Sequence, residues 1–481
     1  MAASVPQMHR SRTKIVATVG PACRSVEKLT ELVQAGASVF RLNMAHASRT
    51  EHAETLEMIR TVSRQLRQPI AVLADLAGPK IRLGELPGDL IECQAGEEFR
   101  FIRGEVSHDP HDLVTTYEPL VDELETGDTV MLADGTVGMK VVEKGPDFAR
   151  CAVTQAGPIR SRQGLNLPGV KLSAPALGEE DRENATWAAD NQIDFVGLSF
   201  VRQESDVRQL KDLLRERGST ARVIAKIEKP EALERLDAIV AEADAIMVAR
   251  GDLGVEIDVA QMPVVQKRIV TTCIVHQKPS IIATQMLDSM QDSPHPTRAE
   301  VTDVANAILD GGDACMLSGE TAIGKYPRQA VEMMCRIARA TEELYRDNEP
   351  RPSGEFHADG LHPITAAVVY GAGHMAADLN AKLVAVVSHS GATALALSKQ
   401  RNYVPTVGIS DSPRTLRQMC LYWGVIPLGD VEVETTGNTI DAVTRWGRAQ
   451  GLLASGDYVV LIAGLGLHVG SHNQVLVHCV D

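Results

Sequence analysis

A lysine and a glutamate two places apart, in "RVIAKIEKP", set the first chemical constraint on this chain of 481 residues. In a strand alternate residues share a face, so Ile224, Lys226 and Glu228 point the same way. A Lys and a Glu turned inward are costly without partners. They read either as an internal ion pair or as a catalytic Lys beside a metal-binding Glu. Asp252, in "IMVARGDLG", lies on the loop of the next strand-like run. Two carboxylates with no His or Cys nearby suit a hard, oxygen-seeking ion, Mg²⁺ or Mn²⁺. Alone, Asp252 equally reads as a turn or helix cap. Arg41, Arg82 and Arg250 stand near strand ends and would make a multiply positive pocket, since guanidinium forks match phosphate and carboxylate oxygens. Thr284 is a residue type common in any strand, and His46 reads as a stacking, bonding or capping group.

The stretch "LADLAGPKIR" adds a question. Asp75 ends an apolar strand, Gly78-Pro79 turns the chain, and Lys80 and Arg82 follow. Asp75 and Arg82 read as parts of an anion or metal site. Lys80 reads either as an ordinary surface charge or as a group holding a place that another cation could fill.

The elements that must position these residues are β-branched runs alternating with helical patterns, the signature of βα units. Eight runs stand out: 14–19, 38–43, 70–75, 194–199, 222–227, 245–249, 280–284 and 314–318, with helical stretches such as 51–66, 206–216 and 259–276 between them. Eight regular units predict an α/β fold with a (β/α)8 barrel, whose active site lies at the C-terminal ends of its strands; a doubly wound open sheet is the alternative. The rhythm breaks after the third run. Short strands at 99–102, 129–132 and 137–142, with Gly, Pro and Asp turns, predict an inserted all-β domain. After the linker "DNEPRPSGEF", strand-like runs at 382–387, 404–409, 457–462 and 474–477 predict a C-terminal α/β domain with a partly parallel sheet. The expected domains are a barrel of residues 1–83 and 176–350, a β-barrel-like lid of residues 84–175, and a regulatory domain of residues 351–481.

Bulk properties exclude several classes. Hydrophobic residues make up 44% and charged residues 23%, as in soluble globular chains. No apolar run is long enough to span a bilayer, so no membrane partner is expected. The opening residues carry no apolar h-region, so no secretory signal is expected. Eight scattered Cys without C-x-x-C spacing point to reduced thiols in the cytoplasm. A net charge of −15 argues against a nucleic-acid partner.

Together these segments resemble pyruvate kinases over nearly the whole chain. "TKIVATVGPAC", "RLNMAHAS", "IAKIEKPEAL", "IMVARGDLGVEI", "ATQMLDSM" and "PTRAEVTDVANAILDGGDACMLSGETA" match the family's motifs in order. The resemblance implies phosphoryl transfer from phosphoenolpyruvate to ADP, giving pyruvate and ATP, in the cytoplasm and as a homotetramer. It implies that Glu228 and Asp252 hold Mg²⁺ or Mn²⁺, and that Lys226 and Arg41 meet the phosphoryl group, with Ser199 nearby. Gly251, Asp252 and Thr284 would bind the substrate carboxylate. Thr284 and Ser318 would order the water chain that protonates enolpyruvate. Pro21, Asn43, His46 and Arg82 would line the nucleotide side, with the inserted domain as a lid. Ser388, Ser390, Gly391 and Thr393 would hold the phosphate of an allosteric effector.

The chain departs from the family pattern in informative places. Gln163, in "RQGLNLPG", stands where a nucleotide-facing Lys is usual, and Ile323 replaces another Lys. Members that require K⁺ hold it with Asn and Ser on strand two and Asp and Thr on strand three. Asn43 and Asp75 remain, but Ala45 and Leu76 replace the hydroxyl residues, and Lys80 replaces a Glu. The resemblance to the K⁺-independent type implies that Lys80, near Asn43 and Asp75, stands in for the ion. Leu465 and Gly466 replace the Trp-Arg pair of members activated by fructose 1,6-bisphosphate, so a monophosphate effector is expected. Two rivals are a metal-dependent aldolase or lyase, which needs no nucleotide lid, and a catalytically weak sugar-phosphate sensor, which Gln163 alone supports.

Overall fold

In the computed structural model, the described residues are 11–348, 361–464 and 473–481, apart from Lys80, His108, Asp134, Lys171, Asp430 and 432–434. Three parallel strands come first: β1 (Lys14–Thr18), β2 (Val39–Asn43) and β3 (Ala71–Asp75). The chain then leaves for a run of short β-strands, β4 (Leu90–Cys93), β5 (Glu98–Ile102), β6 (Asp112–Leu113), β7 (Thr129–Leu132), β8 (Val137–Lys144), β9 (Phe148–Gln155), β10 (Gly157–Arg160) and β11 (Leu165–Asn166). It returns for β12 (Phe195–Leu198), β13 (Arg222–Ile227), β14 (Ala245–Ala249), β15 (Ser280–Ala283) and β16 (Ala314–Leu317). β1–β3 and β12–β16 pair in the order β1-β16-β15-β14-β13-β12-β3-β2, a closed parallel barrel. All eight follow the predicted runs to within one residue at each end.

Alternation explains why these strands are apolar throughout. On β13, Val223, Ala225 and Ile227 face the helices, while Ile224 faces the barrel interior with Val16, Val39, Leu73, Phe195, Met247, Ile281 and Met316. Both faces are buried, as parallel barrel strands require.

The inserted strands form a six-stranded sheet, β11-β7-β8-β9-β5-β6, and a two-stranded β10-β4 ribbon around their own core of Phe99, Phe101, Leu132, Met139 and Ile159. Arg202, just past β12, donates to the carbonyls of Leu172 (2.5 Å) and Ala174 (2.6 Å) and pins the chain where it re-enters the barrel.

The C-terminal sheet runs β19 (Val425–Leu428), β18 (Thr406–Ile409), β17 (Leu383–Val387), β20 (Tyr458–Ala463) and β21 (Gln474–Cys479), parallel except for β20–β21. β19 is absent from the sequence reading because it is short and carries Pro427. As an edge strand it tolerates the missing N–H. This domain also closes the barrel floor. Cys420 and Leu421, on a 3-10 turn at Met419–Leu421, complete the interior core beneath the barrel strands. Buried ion pairs join Arg417 to Asp194 (2.6 Å) and Lys399 to Asp313 (2.6 Å) across the same junction. No helix among the described residues is long and apolar enough to cross a membrane.

Candidate active site

The alternation that fills the barrel also builds its mouth. Two places after an inward apolar residue comes an inward polar one: Val39 leads to Arg41, Leu73 to Asp75, Ile224 to Lys226. Arg41 Nε donates to Asp75 Oδ2 at 2.7 Å, and its Nη1 donates to Thr18 Oγ1 at 3.2 Å. Lys226 Nζ lies 3.4 Å from Asp75 Oδ1 and 3.0 Å from Glu228 Oε1, and donates to Ser199 Oγ at 2.6 Å. Ser199 gives its own proton to the Leu76 carbonyl at 2.7 Å. Gly197 leaves the space this needs, since a Cβ there would stand 2.7 Å from Asp75 Oδ1.

Charge is set by these partners. Burial alone would raise the Asp75 carboxyl, but Lys226 and Arg41 outweigh it and hold it below the ordinary value. Burial also opposes charge on Lys226, yet Asp75 and Glu228 outweigh it and the ammonium is pushed up to about 12. Glu228 goes the other way: burial raises it, and the like charge of Asp252 adds to the rise against Lys226. Phe200 N–H donates to Glu228 Oε2 at 2.7 Å. That repulsion between Glu228 and Asp252 is what a hard cation would relieve, and Glu228 keeps carboxylate lone pairs beyond its two contacts. Among the described residues no group of three or more His, Cys, Asp or Glu forms a metal cage. Two carboxylates are the protein share Mg²⁺ commonly takes, with water and substrate phosphate completing the shell.

The facing wall is braced at Arg250. Its guanidinium pairs with Asp303 at 2.7 Å and donates to the carbonyls of Ala283 (3.2 Å) and Thr284 (2.8 Å). Through these contacts it acts as a strut for the end of β15. It holds Thr284 at φ 67°, a left-handed conformation that is strained for a β-branched residue. Thr284 Oγ1 accepts the Gly251 N–H at 2.7 Å and donates to Ala283 O at 2.6 Å, so those two predicted residues meet. Asp252 follows in the first turn of the helix Arg250–Glu256. Ser318, past β16, is fixed through its N–H to Glu320 (2.7 Å), which also takes the Leu287 N–H (3.0 Å).

On the other rim, Pro21 and His46 are exposed and Asn43 is half-buried at the end of β2. Asn43 Oδ1 accepts from Ala45 N–H at 3.2 Å. Arg82 bridges to Gly164 and donates to the Arg162 carbonyl at 3.2 Å, which places it at the base of the inserted domain. Gln163 turns back to accept from Arg160 N–H at 2.8 Å, and Arg162 pairs with Glu85 at 2.5 Å, so both are engaged inside that domain. Lys80 lies outside the described residues, as do Leu465 and Gly466.

Far below, Ser388, Ser390 and Gly391 form the loop that enters the helix Ala392–Lys399, and Thr393 lies in its first turn. Gly391 has φ 81°, and Ser388 Oγ is buried with no hydrogen-bond partner among the described residues. Sequence reasoning missed Thr18, Phe200 and Asp303. It also missed the part of Asp75 as shared counter-ion of Arg41 and Lys226, although two buried cations side by side demand such a carboxylate.

Barrel, inserted β-domain and charged mouth define a class, the barrel enzymes that act on a small anion. Residues 10–331 match the family described as pyruvate kinase, barrel domain, and residues 366–478 match pyruvate kinase, alpha/beta domain. Pyruvate kinase 2 of Synechocystis is 40% identical over 458 residues, which span 94% of this chain and 76% of that protein. The pyruvate kinase of Geobacillus stearothermophilus is 38% identical over 478 residues, 98% of this chain and 81% of the relative. The crystal structure of a pyruvate kinase from Cryptosporidium parvum is similar at a TM-score of 0.89 and 33% identity, over 98% of this chain and 97% of the other. The chain belongs to the pyruvate kinase family. Its reaction is phosphoryl transfer from phosphoenolpyruvate to ADP, which yields pyruvate and ATP.

Proposed function

We propose that this phosphoryl transfer takes place above the Arg41–Asp75–Lys226 cluster, with Mg²⁺ or Mn²⁺ on Glu228 and Asp252 and without a need for K⁺. The observation that carries this reading is the shared carboxylate of Asp75, which pairs with both cations and holds them beside each other at the mouth. Arg41 and Lys226 then stabilise negative charge on the phosphoryl oxygens as it shifts in the transition state. A divalent ion on the two carboxylates supplies further charge neutralisation and orients the substrate. Gly251, Asp252 and Thr284 take the carboxylate end, where a substrate oxygen would replace Thr284 as acceptor of the Gly251 N–H. Thr284 and Ser318 order the protonating water, and Pro21, Asn43, His46 and Arg82 line the nucleotide rim under the lid. The test is coupled detection of pyruvate from phosphoenolpyruvate with and without ADP. ADP-dependent pyruvate is expected, and pyruvate release independent of ADP would overturn the reading in favour of a lyase.

The same reading makes the loop of Ser388, Ser390 and Gly391, with Thr393, a phosphate site for an effector. Its support is the buried Ser388 hydroxyl, without a hydrogen-bond partner among the described residues, beside the start of the helix Ala392–Lys399. Activation by a sugar monophosphate or AMP is expected, and strong selective activation by fructose 1,6-bisphosphate would overturn the monophosphate assignment. Two apolar surfaces support a homotetramer: Val259, Val264 and Val275 beside the barrel, and Ile364, Tyr370, Met375 and Leu379 along the helix Pro363–Asp378. Sedimentation of the full chain reads this directly.

A further inference from the structure

Lys229 and Glu256 form a buried ion pair that none of these roles uses. Lys229 Nζ donates to Glu256 Oε1 at 2.6 Å, and the two side chains keep only 10% and 1% of their exposure. Their positions in the chain are informative. Lys229 directly follows Glu228, just past the end of β13, where the chain enters the helix Pro230–Glu234. Glu256 closes the helix Arg250–Glu256, whose first turn carries Asp252. The pair therefore ties together the two backbone segments that bear the divalent-ion carboxylates.

The pair also touches the inserted domain. β11 packs against the helix Arg250–Glu256, Asn166 on β11 is buried, and the second Glu256 oxygen, Oε2, is buried without a hydrogen-bond partner among the described residues. Lys229 and Asn166 line one cleft between the barrel mouth and the inserted domain. Pro79, Ile81, Leu172 and Phe200 line it too. Phe200 is the residue whose N–H holds Glu228, at a strained φ of 54°. A buried pair is a poor source of stability compared with apolar packing of the same volume, so its placement calls for another account.

We propose that Lys229 and Glu256 are positioning residues for the divalent ion. Their pair fixes the separation of Glu228 and Asp252, and Asn166 couples that separation to the inserted domain. The inference rests on the assignment of Glu228 and Asp252 as the ion's ligands. Removing one member frees the helix Arg250–Glu256 to shift against the end of β13, and the two carboxylates then no longer meet one ion.

The experiment measures Mn²⁺ affinity by electron paramagnetic resonance on the full chain, free of substrate and nucleotide. Glu256→Gln and Lys229→Met are each expected to weaken Mn²⁺ binding by about tenfold or more, the usual effect of losing a group behind a metal ligand. The charge-reversed double variant Lys229→Glu with Glu256→Lys is expected to regain most of that loss. Asn166→Ala is expected to leave the free protein's Mn²⁺ affinity unchanged and to raise the Mn²⁺ needed for half-saturation when phosphoenolpyruvate and ADP are bound. Lys229→Met strands a buried carboxylate and can cost folding, so Glu256→Gln, checked by circular dichroism, carries the decision. Asp252→Asn serves as reference. Wild-type Mn²⁺ affinity in folded Glu256→Gln, beside a large loss in Asp252→Asn, would overturn the positioning role and leave the ion assignment intact. Wild-type affinity in both would overturn the ion assignment itself. An unchanged half-saturation in Asn166→Ala would remove the coupling to the inserted domain.

Discussion

Asp75 binds Arg41 at 2.7 Å through one carboxylate oxygen and leaves the other 3.4 Å from Lys226. The longer contact is an ion pair without a strong hydrogen bond. Arg41 and Lys226 are thus held near each other by a fully buried carboxylate. Asp75→Asn would leave both cations without their shared charge, at a cost on the order of 3 kcal/mol for breaking a buried pair. The pH dependence has a definite sign. Asp75 is held below its unfolded value, so its contribution is present above that value and is lost as pH falls through the folded one. The stability gap between wild type and Asp75→Asn should be full at neutral pH and close below about pH 4, the ordinary carboxylate range. Lys226 behaves oppositely: its contribution is full below 10.5 and is lost as pH rises through about 12. Urea midpoints across pH would check the first limb. A gap that stays constant into acid would contradict it.

Leu421 belongs to the C-terminal domain by sequence and to the barrel by packing, fully buried beneath Leu73, Ile224 and Met316. Leu421→Ala should therefore destabilise the barrel, by about 2–5 kcal/mol as for other large-to-small core changes. The measurement is the urea midpoint followed at two probes, far-UV circular dichroism and loss of pyruvate kinase activity. Both should shift down together. A shift in neither, with Leu421 replaced, would mean that the floor packs loosely.

The barrel strands were legible because a parallel strand buried on both faces must read as a continuous apolar run, as "VLAD" and "VIAKI" do. In the inserted domain and at the sheet edge less was legible: β19 hides behind Pro427, β6 and β11 are two residues each, and β4, β10 and the eight-residue β9 were missed, β9 because its inward residues, Ala149, Cys151 and Val153, are small and alternate with Arg150, Ala152 and Thr154. For the site, sequence gave position along a strand but not direction of reach. Arg41 and Lys226 lie inward by alternation, whereas Arg250 stands past a strand end, where alternation no longer holds, and it turns out to brace Thr284. The pairing of Lys229 with Glu256 joins residues on different elements, which no local pattern reveals.

Asp252→Asn keeps the shape of the second carboxylate and removes its charge. Turnover should fall by about a hundredfold or more, in the range of losing one electrostatic contact to a transition state. The Mg²⁺ concentration for half-maximal rate should rise as well, since a neutral amide is a weaker ligand for a hard cation. Initial rates across a Mg²⁺ titration separate the two effects. Near-normal activity at ordinary Mg²⁺ would remove Asp252 from the ion site.

Activity should not require K⁺. The side-chain and backbone oxygens at the ends of β2 and β3 already have protein partners or a nearby cation. Asn43 Oδ1 accepts from Ala45 N–H, the Leu76 carbonyl accepts from Ser199, and Asp75 serves Arg41 and Lys226. Ala45 and Leu76 contribute no side-chain oxygen. A unit positive charge beside the substrate phosphates is still useful, and Lys80 follows Asp75 closely enough in the chain to bring one. A tethered charge has no binding equilibrium, so the rate should be flat in K⁺ concentration. Lys80→Glu should then cost more activity than a surface charge change, and K⁺ should restore it poorly for want of oxygens. Initial rates in tetramethylammonium buffer, with K⁺ added against matched ionic strength, decide the matter. A K⁺-specific rise of more than about tenfold, roughly 1.4 kcal/mol of barrier, would place an ion where this reading places a lysine.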